Sequence, residues 1–179
     1  MDSYTPVKTT HFSKKEKLKA RFWRLVWVLF YRPTLWFMYK FRVFLLNLCG
    51  AKVDYSAHPE SSSFVEFLWN LTMEKQSSIG EGSWIYCLDK IVIGYNSCIG
   101  QKCQLITGSQ NYKRKNFEIV TAGISIEKGC WLTTNDVVLM GVTISEYSMV
   151  GINSLVTKSI AVNSVAVGQP AKLQGKHFT

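Results

Sequence analysis

Aliphatic residues recur in this chain at a spacing of six. Counting from Ile126 gives Ile126, Leu132, Val138, Ile144, Val150, Val156 and Val162, seven aliphatics in succession. About a third of residues are aliphatic in an ordinary chain, so a run of this length arises by chance roughly a few times in a thousand after the best of six phases is chosen. Ile79, Ile85 and Ile91 form a second run, and Ile93, Ile99 and Leu105 a third after a shift of two. Gly follows the aliphatic at Gly80, Gly94, Gly100 and Gly151. Earlier members are looser: Phe67 and Met73 keep the phase and Ser61 does not.

An amphipathic helix repeats near 3.6 residues and a strand near 2. Six fits a strand of about three residues followed by a tight turn. One inward aliphatic per face then fills a narrow prism, and Gly or Asn tolerates the turn dihedrals at the corners. Three such faces make a coil of about 18 residues, and coils stack at about 4.8 Å. The pattern predicts a parallel β-helix over residues 53–172, with a core summed along one dimension. The period breaks between Leu105 and Ile124, so residues 106–123 are expected as a loop ejected from the coil, and residues 173–179 as a tail.

Residues 1–52 follow other rules. Between Phe22 and Leu48 the longest apolar stretch without a charge is Leu25–Tyr31, and Arg24, Arg32, Pro33, Lys40 and Arg42 interrupt the rest. A membrane span needs roughly 20 consecutive apolar residues, so this stretch does not cross. Pro33 divides it into helices expected at about 14–31 and 34–48. Two readings of their aromatic faces stand open. They pack on the following domain or a neighbouring subunit, or residues 14–48 lie on a membrane surface with rings at headgroup depth and Lys/Arg on anionic lipid.

Charge sharpens the division. Lys and Arg number 21 against 12 Asp and Glu, for a net charge of +9. The first 52 residues carry eleven of those bases and two acids, while the remainder is balanced. The excess therefore marks an interaction segment joined to an ordinary domain. No recognisable nucleic-acid motif accompanies it. The five cysteines (Cys49, Cys87, Cys98, Cys103, Cys130) include no C-x-x-C pair, and His11, His58 and His177 are scattered. This disfavours a metal site and suits free thiols in a reducing compartment. The polar, basic first 21 residues do not read as a signal peptide, so a cytoplasmic protein is expected, with peripheral contact at the inner membrane face as the open alternative.

Several stretches together resemble one family. They are Tyr31-Arg32-Pro33-Thr34, the run from Phe44 through Gly50 to Val53, Trp69-Asn70-Leu71-Thr72-Met73, Ile91-Val92-Ile93-Gly94, Gly141-Val142-Thr143-Ile144, Val156-Thr157-Lys158 and Val167-Gly168-Gln169-Pro170-Ala171-Lys172. The chain is similar, over about residues 21–172, to the hexapeptide-repeat acyltransferases, and within them to O-acetyltransferases of colanic-acid and other exopolysaccharide biosynthesis. The resemblance implies an all-β fold, a left-handed parallel β-helix with an N-terminal helical extension, assembled as a homotrimer. It also implies transfer of acetyl from acetyl-CoA to a hydroxyl of a sugar or lipid-linked saccharide, with no metal.

The family's ejected loop carries a motif like T-G-S-H-D-Y, whose histidine deprotonates the acceptor hydroxyl. Here the stretch reads Thr107-Gly108-Ser109-Gln110-Asn111-Tyr112. Gln110 and Asn111 stand at the catalytic His and Asp positions, and amides cannot take a proton at neutral pH. Losing a general base costs about 10²–10⁴ in rate. Asp89 matches a family acid near the acceptor and otherwise reads as a corner turn residue. His58 and His177 are weaker substitutes, and His11 weaker still. Lys113-Arg114-Lys115 reads as a solvated tip or a phosphate contact. For the donor, the resemblance implies Trp131, Asn153, Lys158, Gly168 and Lys172, along coils shared between two subunits. Two departures touch that groove: Gln169 replaces the usual Asn, and the run from Trp131 to Asn135 replaces a more alanine-rich pattern. The rival reading is a catalytically weak or inactive relative serving as a trimeric scaffold or sugar-binding subunit.

Overall fold

A computed structural model of the chain describes residues 12–111, 114 and 118–177. His11, Tyr112, Lys113 and Lys115 lie outside the described residues. The chain begins with a helical lead, α1 (Lys14–Val26), continued by one π-helical turn (Trp27–Tyr31), and then α2 (Tyr39–Leu48). Ser13 caps α1, its hydroxyl accepting from the Glu16 N–H while the Glu16 carboxylate accepts the Ser13 N–H at 2.8 Å. This reciprocal box satisfies two donors that a bare helix start leaves open. The second helix begins at Tyr39, five residues later than expected, because residues 34–38 turn after Pro33.

The remainder winds as a triangular solenoid of short strands. The first coil is β1 (Lys52–Val53), β2 (His58–Pro59) and β3 (Phe64–Glu66); the second is β4 (Leu71–Met73), β5 (Ser78–Ile79) and β6 (Trp84–Tyr86). The third is β7 (Ile91–Ile93), β8 (Cys98–Ile99) and β9 (Gln104–Ile106). A hairpin, β10 (Gly108–Gln110) and β11 (Ile119–Thr121), leaves the coil before the fourth turn of β12 (Ile124–Ile126), β13 (Trp131–Leu132) and β14 (Val137–Leu139). Next come β15 (Thr143–Ile144), β16 (Met149–Val150), β17 (Leu155–Val156), β18 (Ser164–Val167) and β19 (Lys172–Lys176). The first sheet stacks β1-β4-β7-β12-β15, the second β2-β5-β8-β13-β16-β18 with β19 at its edge, and the third β3-β6-β9-β14-β17. All pairings within the coils are parallel, as for β12 on β7 and β15. The fold is a parallel β-helix.

The period-six aliphatics fill the prism: Ile79, Ile85, Ile99, Leu105, Ile126, Leu132, Val138, Ile144 and Val150 are fully buried. The apparent shift at Ile91 and Ile93 arises because both ends of β7 point inward. Two expected members are corrected. Val162 is 59% exposed at a corner; Ile160, bridged to Ile144, is the inward residue of the last coil, which runs two residues short. Phe67 sits at a corner with φ 56, ψ 45, and Val65 and Leu68 take the inward places. The ejected segment is paired as a β-hairpin at its base. Residues 173–176, expected as a tail, continue β19 antiparallel to β18.

Corners explain the other recurring residues. Asn96, Asn135, Asn153 and Asn163 take positive φ, where Asn is among the most tolerated side chains. Gly100 is required for another reason. A Cβ there would overlap the carbonyl oxygen of Thr133 in the next coil. Buried serines staple successive coils. Ser83 Oγ donates to the Gly100 carbonyl at 2.8 Å and accepts from the Cys103 N–H at 3.1 Å, and Ser97 repeats the pattern with Glu127 and Cys130.

The lead covers the first coil. Trp23 Nε1 donates to the Val65 carbonyl at 2.7 Å and Trp27 Nε1 to the Ser63 carbonyl at 2.8 Å, so α1 lies along β3. The inner face of α2 packs on β1 and β2 through Val43, Leu45 and Leu46. The reading that packs the lead's aromatic residues on the following domain is thus realised for Trp23, Trp27 and Tyr31. No helix among the described residues is long and apolar enough to cross a membrane.

Candidate functional site

The hairpin leaves from the corner between the third and first sheets. Thr107, fully buried, makes that corner: its hydroxyl donates to the Tyr86 carbonyl at 2.7 Å and accepts from the Asp89 N–H at 3.0 Å. Gly108 follows, and a Cβ there would press on the Leu88 side chain and require it to shift. Ser109 pairs with Val120 and Gln110 with Ile119, and the Ala122 N–H closes the base on the Thr107 carbonyl at 3.0 Å. Beyond the strands, the Asn111 N–H donates to the Glu118 carbonyl at 2.9 Å. Arg114, from the basic run, is paired with Glu118 at 2.6 Å. Gln110 is exposed on this arm and Asn111 half-buried at its end.

Asp89 occupies the same corner one coil earlier, tied to the hairpin base through Thr107. Its Oδ1 accepts the Lys90 N–H at 2.7 Å, the local bond of a turn aspartate. Gln110, Asn111 and Asp89 are therefore brought to one edge of the prism. His58 and His177 are not. His58 lies on the second sheet, stacked at 3.9 Å on Tyr39, and His177 Nδ1 is 2.9 Å from the Tyr147 carbonyl near the last coil.

The expected donor-side residues fall elsewhere. Trp131 opens β13 on the second sheet, between Cys98 and Met149, with 45% of its surface exposed. It borders a groove of about 420 Å³ that also includes His58, Glu60, Cys98, Gln101 and Thr134. Asn153 stands at the corner between the second and third sheets. Its Oδ1 accepts from Asn135 Nδ2 at 2.8 Å, and its backbone carbonyl accepts from Gln169 Nε2 at 2.8 Å. The Gly168 carbonyl accepts from the Leu155 N–H at 3.0 Å, so Gly168 joins this cluster. Lys172 begins β19 opposite Val167, and Lys158 is exposed after β17, at the hairpin's corner but two coils beyond it. Lys158 apart, one chain thus holds its acceptor-side and donor-side candidates on different edges.

Two features were not singled out from the sequence. Outward rings crowd the third sheet beside the Asp89 corner, with Phe67 at 5.6 Å from Trp69 and 5.9 Å from Tyr86, and Trp84 at 5.1 Å from Tyr86. Alternation around inward Ile85 was the available signal for Trp84 and Tyr86. The other is Asp136, fully buried at the donor-side corner. Its carboxylate accepts the N–H groups of Thr133 at 2.8 Å and Ser154 at 2.9 Å, and the Thr133 hydroxyl at 3.3 Å. Burial pushes this carboxyl up to about 6 against the pull of those donors. The cysteines are free; burial pushes the Cys103 thiol up to about 11 and raises Cys87 and Cys130 as well, which suits inert core thiols. Among the described residues no group of three or more His, Cys, Asp or Glu could hold a metal ion.

No family model matches the sequence. A protein of Escherichia coli (strain K12) that carries the name colanic acid biosynthesis acetyltransferase is 35% identical over 154 residues, 86% of this chain and 85% of its own. The chain belongs to the hexapeptide-repeat acetyltransferases. Galactoside O-acetyltransferase of the same organism is 36% identical over 86 residues, 46% of this chain and 42% of its own. Among solved structures, a hexapeptide-repeat acetyltransferase from Vibrio cholerae superposes with a TM-score of 0.83 at 22% identity, covering 93% of this chain and 95% of that one. Its complex with acetyl coenzyme A gives 0.80 at 23% identity, covering 97% and 96%.

Proposed function

We propose that this chain transfers acetyl from acetyl-CoA to a sugar hydroxyl during assembly of a surface or extracellular polysaccharide, as a homotrimer in the cytoplasm. The likeness to the colanic acid acetyltransferase along nearly the whole chain carries the reading. Trimerisation is part of it for a geometric reason. Trp131, Asn153, Gly168 and Lys172 lie away from the hairpin corner of their own chain, so a neighbouring copy must bring a donor edge to an acceptor edge.

The chemistry needs one proton moved. As the acceptor oxygen attacks the thioester carbonyl, its proton goes to a base; the C–S bond then breaks and the coenzyme A thiolate takes that proton back. Gln110 and Asn111 cannot be the base, but the Gln110 amide can donate a hydrogen bond to the developing oxyanion. Asp89 is the carboxylate at that corner and takes the proton role. A carboxylate is a weaker general base than an imidazole, so turnover is slow. The neighbouring rings of Trp69 and Tyr86 suit a saccharide's apolar face.

The test is acetyl transfer to a panel of sugars, followed by release of free coenzyme A thiol. Asp89→Asn should abolish it. Gln110→His with Asn111→Asp should raise the rate on the order of 10²–10⁴. One observation favours a second reading, a scaffold or sugar-binding subunit: both titratable groups of the loop motif are amides. With a verified acceptor, no gain from the double variant selects that reading.

A further inference from the structure

The helical lead buries one apolar face and leaves another uncovered. Along α1 and its π turn, Trp23 and Tyr31 turn inward, while Leu18, Phe22, Leu25 and Leu29 recur on the opposite side and are all exposed. On α2, buried Val43 and Leu46 contrast with exposed Phe41, Phe44 and Leu48. Between the helices Leu35, Trp36 and Phe37 project in succession, with Trp36 81% exposed.

This tip is held, not loose. Arg42 is 1% exposed. Its Nη1 donates to Thr34 Oγ1 at 3.0 Å and the Leu35 carbonyl at 2.9 Å, and its Nη2 to the Trp36 carbonyl at 3.1 Å. Its Nε donates to the Pro59 carbonyl at 2.7 Å, fastening the tip to the first coil. A buried guanidinium is costly unless its donors are met, and here they are met by the backbone that presents three apolar side chains to solvent.

The surroundings say what covers that face. Lys14, Lys15, Arg21, Arg24 and Lys40 are exposed among the apolar stripes. The sole acid of residues 12–52 is Glu16, whose carboxylate is engaged by the Ser13 cap. A second copy docked face to face would set this unneutralised charge against itself. We propose that the lead docks on an anionic lipid bilayer, with the Leu35-Trp36-Phe37 tip entering the interface and the lysines and arginines on the headgroups. The lead is anchored near the hairpin's corner: Phe12 stacks on Phe67 at 4.6 Å and Lys19 lies over Trp69 at 4.6 Å. The hairpin rises two coils farther on, about 10 Å along the axis.

The experiment is sedimentation of the whole protein with vesicles of phosphatidylcholine alone or mixed with phosphatidylglycerol, at low and high salt. Binding should require phosphatidylglycerol and weaken with salt. Trp36→Ala with Phe37→Ala should lower partitioning at least tenfold, on the order of the apolar area lost, with the melting temperature unchanged. Each basic residue near an anionic surface is worth roughly fivefold, so Lys14→Gln, Lys15→Gln and Arg21→Gln together should cost on the order of a hundredfold. No preference for anionic vesicles, or a tip variant that binds like the parent, overturns the proposal. So does a tip variant that loses oligomeric mass while still binding vesicles, since copies of the chain would then cover the face. The assay uses neither acyl donor nor sugar, so its failure leaves the transferase reading standing, and the converse holds too.

Discussion

The Thr107 hydroxyl is the link between Asp89 and the hairpin, accepting from the Asp89 N–H at 3.0 Å while it donates to the Tyr86 carbonyl. Thr107→Val keeps the volume and deletes both bonds. Leaving that N–H without its acceptor should destabilise the fold by about 1–3 kcal/mol. Transfer should fall further than stability accounts for, because Asp89 and the hairpin base lose their shared anchor. Chemical denaturation and thiol release, measured on the same preparation, separate the two effects.

Ile160 and Val162 test how the last coil is threaded. Ile160→Ala should cost roughly 2–5 kcal/mol, as for a buried aliphatic, whereas Val162→Ala should stay within about 0.5 kcal/mol. The reverse order, read from urea midpoints, would restore the uninterrupted six-residue phase.

Asp136 makes stability depend on pH. Its ordinary value is 3.8, and burial pushes it up to about 6 in the folded chain. Between these values the native state keeps a proton that the unfolded chain releases, so this group's contribution to stability falls as pH rises through the window and is flat above it. Asp136→Asn should remove that slope and also lower stability at every pH, because an amide nitrogen then faces the N–H of Thr133 or Ser154. Paired denaturation curves from pH 4 to pH 7 check both signs.

Trp131 is the simplest probe of the donor groove. Its exposed ring contributes little to the core, so Trp131→Ala should leave the melting temperature within a few degrees while weakening acetyl-CoA binding by about tenfold. Equal affinity in the variant and the parent would move the donor off the second sheet.

The solenoid was legible because one inward aliphatic per face repeats with a period that neither a helix nor a paired strand shares. The misassignments have local causes. Val162 keeps the count but not the geometry, since the final coil is shorter and Ile160 meets Ile144 first. Phe67 keeps the count too, yet Leu68–Asn70 forms a 3-10 turn that throws its ring outward. The Gly residues after the aliphatics looked like turn formers, but at Gly100 the cause is the backbone of the neighbouring coil, which no single-coil pattern reveals. Gln110 and Asp89 could be singled out by motif, whereas their connection through Thr107 depends on which coils stack. The separation of Trp131 and Asn153 from the hairpin likewise follows from the corner each occupies.

The most direct measurement is calorimetric titration of the purified protein with acetyl-CoA, without an acceptor. The account predicts saturable binding tighter than about 1 mM, despite the amides at 110 and 111, because those residues belong to the acceptor edge. Absence of binding by both acetyl-CoA and free coenzyme A would contradict the transferase reading and leave the solenoid as a scaffold.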